Sequence, residues 1–90
     1  MCFPISFFKI KDRSMLPAFK EGDFVLVNNW FNKLNINDVV ILKLDKYLIK
    51  RITKINNNKY FVEGDNKKES KKLLPVTKKD IVGKVIKKII

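Results

Sequence analysis

The sequence predicts a small all-β domain, and three observations support this prediction. Short apolar stretches recur at roughly ten-residue spacing along the chain. Turn-forming residues such as Glu21-Gly22-Asp23 and Asn56-Asn57-Asn58 separate these stretches. The chain shows almost no helical pattern. We therefore expect six to seven short strands arranged as a small sheet or a partly closed β-barrel.

The first half of the chain predicts two strands separated by a turn and followed by a loop. Residues 6–11 partly alternate between polar and apolar side chains, which is typical of a strand. Pro17 limits any helix in the next stretch to a short one or to one that starts at that residue. Residues 24–27 have the pattern of a buried strand. Residues 28–37 mix polar side chains with apolar anchors and predict a loop.

The second half predicts a hairpin and further short elements. Residues 39–44 are the strongest strand pattern, and after the tight Asp45-Lys46 connection residues 47–55 return as the second strand. The remaining elements are a strand at 59–62, a polar loop at 64–72, an extended piece at 73–76, one helical turn at 77–80 and a closing strand at 81–90.

Length and composition limit the function. Ninety residues form a single domain spanning residues 1–90. The chain has no His and one Cys, which excludes a Ser-His-Asp triad, a Cys-His pair, an internal disulfide framework and a Cys-based zinc site. We expect no metal centre and no cofactor. The general base of any enzyme here must be Lys, Asp, Glu or Tyr.

The net charge of +11 comes from 18 Lys and only two Arg, against nine acidic residues. Nucleic-acid surfaces favour Arg for bidentate contacts, so this composition mostly indicates a bias toward Lys, Asn and Ile, and we do not expect nucleic acid as the partner. No apolar run is long enough to span a bilayer, and no secretory signal is evident. We expect a cytoplasmic protein or one peripheral to the membrane.

The apolar N-terminal edge suggests a second surface property. Phe3, Ile5, Phe7 and Phe8 lie close together in the sequence, on a chain rich in Lys. Basic residues are attracted to anionic lipids. We expect at most weak contact with an anionic membrane surface.

Two residues could form a catalytic pair. Ser14 lies in a loop just before a proline-bearing turn, and a serine hydroxyl needs a base to become a nucleophile. In the strand at 47–55, Leu48, Lys50 and Ile52 point the same way because strand side chains alternate. An ammonium among apolar neighbours should have a lowered pKa, so Lys50 could serve as a general base. Each residue alone has an ordinary explanation: a loop serine, and a lysine that reaches solvent.

Three motifs in this order resemble type I signal peptidases and related Ser/Lys-dyad peptidases. The nucleophile motif of that family reads Ser-Met-x-Pro, then Gly-Asp and an apolar strand; here it is Ser14-Met15-Leu16-Pro17, with Gly22-Asp23 next. The base motif is a Lys-Arg after apolar residues, here Lys50-Arg51. The third is Gly-Asp-Asn followed by a Ser, here Gly64-Asp65-Asn66 and Ser70. The resemblance covers roughly residues 12–86.

The resemblance implies a serine endopeptidase that works through an acyl-enzyme. Ser14 would be the nucleophile, Lys50 the general base, and Ser70 would orient the Lys50 amine. The family binds a polypeptide substrate as an added extended strand and cuts after small residues, in signal-peptide-like or precursor segments. The other residues carried over are Met15 and Pro17, in the nucleophile motif near the substrate groove, and Gly64, Asp65 and Asn66, in a structural loop behind the site.

Three departures from the family pattern accompany the resemblance. The second Asp and the Arg that usually follow the third motif are absent, so the ion-pair support that they provide is expected to be missing. Asp12 stands where some members place a hydroxyl or glycine for the oxyanion hole. The chain also lacks the membrane span and larger second β region of most signal peptidases, and so looks like a stripped catalytic core.

Two other interpretations stay open at this point. A non-catalytic basic β module would bind nucleic acid or an anionic membrane surface. A self-cleaving, repressor-type domain of the same broad superfamily would need a cleavable segment upstream, and only 13 residues precede Ser14. We therefore do not expect cleavage in cis.

Overall fold

Six antiparallel strands form a single sheet in a computed structural model of the protein. The structure describes residues 4–11, 13, 15–31, 33–66 and 75–89. The strands are β1 (Ile5–Lys9), β2 (Phe24–Asn28), β3 (Val39–Lys43), β4 (Tyr47–Asn56), β5 (Lys59–Glu63) and β6 (Ile81–Lys88), with one 3-10 turn at Lys78–Asp80 before β6. The predicted all-β class is confirmed, and the sheet is open rather than closed into a barrel.

The strand order in the sheet is β1-β2-β6-β3-β4-β5. The predicted β3–β4 hairpin is confirmed, with Ile41 opposite Ile49. The last strand, β6, enters the middle of the sheet and pairs with both β2 and β3. Strand β1 therefore occupies one end of the order and β5 the other.

The β4–β5 connection shows why the asparagine run forms a turn. Asn57 and Asn58 both have positive φ angles, of 50° and 65°. Two-residue hairpin turns of type I′ need positive φ at both central positions, and Asn tolerates this conformation better than most residues. The predicted turn at 56–58 is therefore confirmed and fixes the register of β5 on β4.

Alternating side chains of the strands bury two apolar clusters. The first cluster contains Ile10, Met15, Val25, Val27, Val39, Ile41 and Ile49. The second contains Leu34, Val40, Leu42, Ile52, Val62, Val76 and Ile81. Because neighbouring residues of β3 contribute to different clusters, this strand is buried on both faces.

Several predicted features fall outside the described residues. They include Phe3, most of the polar loop at 64–72 and the start of the extended piece at 73–76. Val76 is described, and it exchanges two backbone hydrogen bonds with Tyr60. Within the described part of the chain, no helix has the length and apolar character needed to cross a membrane.

Candidate functional site

Lys50 lies in the middle of the sheet's longest strand and is buried. It belongs to β4, sits opposite Val40 of β3 and has only 6% of its surface exposed. Leu48 and Ile52, on either side of it at the strand period, pack against the second apolar cluster. The predicted apolar surroundings of Lys50 are thus confirmed.

Strand β5 covers only part of the outer edge of β4. The pairing begins at Arg51, opposite Glu63, and continues to Asn56. Residues Tyr47, Leu48 and Ile49 lie beyond this pairing, and no described strand covers their outer side. Lys50 is therefore located where β5 leaves β4 and an uncovered strand edge begins.

The residue after Lys50 connects the second motif to the third. Arg51 donates two hydrogen bonds to the Asp65 carboxylate, from Nε at 2.9 Å and from Nη2 at 2.8 Å. Its Nη1 donates to the carbonyl oxygen of Asn37 at 2.9 Å. The hydrogen bond to Asp65 raises the pKa of Arg51 above its ordinary value, despite an opposing effect of burial. This ion pair attaches the Gly-Asp-Asn loop to β4.

The third motif in turn contacts the first. Asn66 Nδ2 donates a hydrogen bond of 2.9 Å to the carbonyl oxygen of Arg13, the residue just before Ser14. Gly64 is buried next to Asp65. A continuous series of contacts thus runs from the strand that carries Lys50 to the residue that precedes Ser14.

On the other side of Ser14, Met15 is fully buried in the first apolar cluster, together with Ile49 of β4. The Met15 carbonyl oxygen accepts a hydrogen bond from the Phe19 amide, which closes a turn, and Pro17 is exposed on that turn. Met15 contributes to the core and does not line the groove described below. Arg13 is thus linked to β4 through the Gly-Asp-Asn loop, and Met15 through the first apolar cluster.

Asp23 fixes the far end of the same loop. Its carboxylate is buried and accepts a hydrogen bond from the Lys20 amide at 3.0 Å. Its carbonyl oxygen accepts one from the Ile10 amide at 2.8 Å, and the Ile10 carbonyl accepts from Gly22. These bonds hold Ile10 and Asp23 side by side, so the chain between them starts and ends at one place.

Three residues of the predicted site lie outside the described residues: Asp12, Ser14 and Ser70. Their roles therefore stay predictions. The structure describes Lys50, Met15, Pro17 and the Gly64-Asp65-Asn66 loop. It brings the loop that contains position 14 and the Gly-Asp-Asn loop to the same part of β4.

A groove of about 630 Å³ separates β1 from the β3–β4 hairpin. One wall comes from β1 and the residues after it, and the other from the hairpin. The Phe8 and Tyr47 rings meet edge to face across it, with centroids 5.6 Å apart. The lining residues are Phe7, Phe8, Lys9, Lys11, Lys43, Asp45, Lys46, Tyr47 and Ile49.

The sequence did not reveal this groove, since its two walls are far apart in the chain. Tyr47 and Ile49 precede Lys50 directly, and their alternation with Leu48 is the one signal that could have marked them. Within the described ranges, no group of three or more His, Cys, Asp or Glu side chains could hold a metal ion.

The chain matches a known protein family. The family model described as Peptidase S24-like matches residues 4–86. No curated protein matches the chain. The matched region contains the nucleophile, Lys-Arg and Gly-Asp-Asn motifs and nearly the whole sheet. Because this match covers most of the chain, the chain belongs to the Peptidase S24-like family, within the superfamily of serine peptidases.

Proposed function

We propose that the protein is a serine endopeptidase in which Ser14 is the nucleophile and Lys50 the general base. The observation that carries this proposal is the burial of Lys50 at the point where the nucleophile loop and the Gly-Asp-Asn loop converge. Arg13, before Ser14, accepts a hydrogen bond from Asn66 of the Gly-Asp-Asn loop, and Met15, after it, packs in the cluster that contains Ile49, so both flanking residues are linked to the stretch of β4 that carries Lys50.

The environment of Lys50 suits a general base. Burial disfavours an ammonium group because it removes the water that solvates the charge, so the neutral amine gains population. A neutral amine can accept a proton from a serine hydroxyl. The chain has no histidine that could take this role. Apolar neighbours at positions 48 and 52 also limit the positions that the amine can take.

The reaction follows from these two groups. Lys50 takes the hydroxyl proton as Ser14 Oγ bonds to the scissile carbonyl carbon, and the backbone amide of Ser14 donates to the resulting oxyanion. Collapse breaks the C–N bond, and Lys50 returns the proton to the leaving amine. Water, deprotonated by Lys50, then attacks the acyl carbon, the C–Oγ bond breaks, and Lys50 returns the proton to Ser14 Oγ. Ser70 would hold the Lys50 amine through a hydrogen bond.

The open sheet suits a peptide substrate. One edge of β1 has no partner among the described strands, and the outer side of residues 47–49 is also uncovered. Residues of both segments line the groove. An extended peptide inserted between them could form main-chain hydrogen bonds with both, which supports recognition of a signal-peptide-like or precursor segment as an added strand.

Cleavage of a peptide library by wild type, Ser14→Ala and Lys50→Ala tests the proposal. We expect wild type alone to cut, after small residues, and each variant to lose about a thousandfold or more of kcat/KM. Lys54→Ala is the matched control, because Lys54 is exposed on the same strand. The control should keep wild-type activity.

Two outcomes would contradict the proposal. Cleavage that survives Ser14→Ala would assign the activity to another group or to a contaminant. Absence of cleavage together with salt-sensitive binding of nucleic acid would favour the non-catalytic basic module. Circular dichroism of each variant separates loss of chemistry from loss of folding.

A further inference from the structure

We infer that the groove between β1 and the β3–β4 hairpin selects acidic peptide segments. This inference rests on the proposed function and adds a substrate class to it. Four of the groove's lining residues are lysines, namely Lys9, Lys11, Lys43 and Lys46, and one is an aspartate. All four lysines are exposed. An occupant therefore meets a concave surface with a clear excess of positive charge.

Within the described chain, Asp45 offsets only part of the groove's positive charge. The ion pairs described for this protein join Asp65 to Arg51, Asp38 to Lys84 and Asp23 to Lys88. None of these pairs includes a residue that lines the groove. Acidic side chains thus neutralise cations elsewhere on the sheet, while the groove keeps its charge for a ligand.

Aromatic side chains hold part of this charge in place. Lys43 Nζ lies 4.6 Å from the centroid of the Tyr47 ring, and Tyr47 forms one wall of the groove. The ring and the buried side chain of Ile49 provide an apolar surface below the lysines. An occupant with acidic and small apolar side chains in alternation would match both features, because an extended strand presents successive side chains to opposite faces.

The strand edges favour a peptide over other polyanions. A nucleic acid would satisfy the lysines but has no regular series of amide N–H and C=O groups to pair with β1 and with residues 47–49. A peptide satisfies both the lysines and the backbone edges. We therefore assign the positive groove to acidic polypeptide.

The test uses peptides that share one cleavage site. Each peptide carries three Glu, three Gln or three Lys residues, placed either before or after that site. Substituting Lys11→Glu and Lys46→Glu together reverses two charges of the groove. We expect wild type to cut the best Glu peptide about three- to tenfold faster in kcat/KM than its Gln counterpart, as two exposed ion pairs would give. Rising ionic strength should reduce this preference. The double variant should lose it and accept the Lys peptide better.

A matched control makes an equal change in net charge at positions outside the groove. Lys59→Glu with Lys79→Glu alters two exposed lysines outside the groove and should keep the preference for Glu peptides. An equal loss of preference in both double variants would overturn the inference, because net charge and not the groove would then be responsible.

Binding to the Ser14→Ala variant separates this inference from the proposed function. Fluorescence anisotropy with labelled Glu and Gln peptides needs no catalysis, and we expect tighter binding of the Glu peptide. Cleavage without a preference for Glu would refute the inference and leave the peptidase proposal intact. Preferential binding without cleavage would support the inference and refute the proposed chemistry. Tighter binding of a single-stranded oligonucleotide than of the Glu peptide would also overturn it.

Discussion

Lys50 differs from the other described lysines in burial, and this difference is local in origin. It is the one buried lysine among the described residues, whereas the groove lysines, Lys59, Lys87 and Lys88 are exposed and Lys84 is half-buried. The alternation of β4 places it between two apolar side chains, so the strand itself supplies the desolvation. In the proposed mechanism, this buried lysine is the base of a chain that has no histidine.

Asp65→Asn should lower the free energy of unfolding by about 1–2 kcal/mol, because Arg51 then loses the carboxylate that it contacts through two nitrogens. The pair is only partly exposed, at 29% and 22%, so solvent weakens it less than a pair at the open surface. Urea denaturation measures the effect. Asp45→Asn, at an exposed turn position, is the control and should change stability by less than about 0.5 kcal/mol.

The same ion pair allows a pH prediction for Arg51. Its pKa is raised, so the stability that it contributes is present at lower pH and disappears only as the pH rises through that value. The cost of Arg51→Gln should therefore stay constant from about pH 7 to about pH 10. Urea denaturation at several pH values checks this, and a cost that declines within this window would contradict the prediction.

At the scale of elements, the strands were predictable but their partners were not. The predicted strands at 24–27, 39–44, 47–55 and 59–62 each agree with an observed strand to within one residue at either end. Alternation and turn residues are local signals, which explains this success. The placement of β6 between β2 and β3 depends on packing between distant segments. The Arg51–Asp65 contact and the groove were not predicted for the same reason, because each joins segments that are distant in the sequence.

Gly83→Ala should destabilise the protein by about 1–3 kcal/mol, because β6 passes very close to β2 at this residue. A Cβ atom built at position 83 would lie 3.0 Å from the Asn28 carbonyl oxygen and would also collide with the Val27 side chain. Lys87→Ala, exposed on the same strand, serves as the control. Equal denaturation midpoints for the two variants would show that β2 and β6 can separate without cost.

Met15→Ala should cost about 2–5 kcal/mol, since the side chain is fully buried in the cluster that contains Ile49. The volume-conserving Met15→Leu should cost less than about 1.5 kcal/mol. Because the same packing anchors the residue after Ser14, we also expect Met15→Ala to reduce kcat more than Met15→Leu does. Activity is to be compared under conditions where both variants are folded. Full activity of Met15→Ala would show that the packing of Met15 does not position the proposed active site.

At the scale of the whole molecule, the sheet stays open at the place where the proposed substrate would bind. The sheet curves enough for Phe8 of β1 to contact Tyr47 of β4, although three strands separate β1 from β4 in the order. The curvature does not bring their backbones into pairing, and the groove remains between them. The proposed substrate completes the sheet at this gap, which places its backbone along the edge that leads to Lys50.

This arrangement predicts a distinct pattern of amide hydrogen exchange. When a Glu-containing peptide binds to the Ser14→Ala variant, amides of β1 and of residues 47–49 should exchange more slowly, because the peptide backbone covers their open edges. Amides of β5, at the other end of the sheet order, should keep their rates and provide an internal control. Protection confined to side-chain contacts near Tyr47, with unchanged β1 amides, would contradict strand addition. Protection on β5 instead would move the peptide to the opposite edge, away from Lys50.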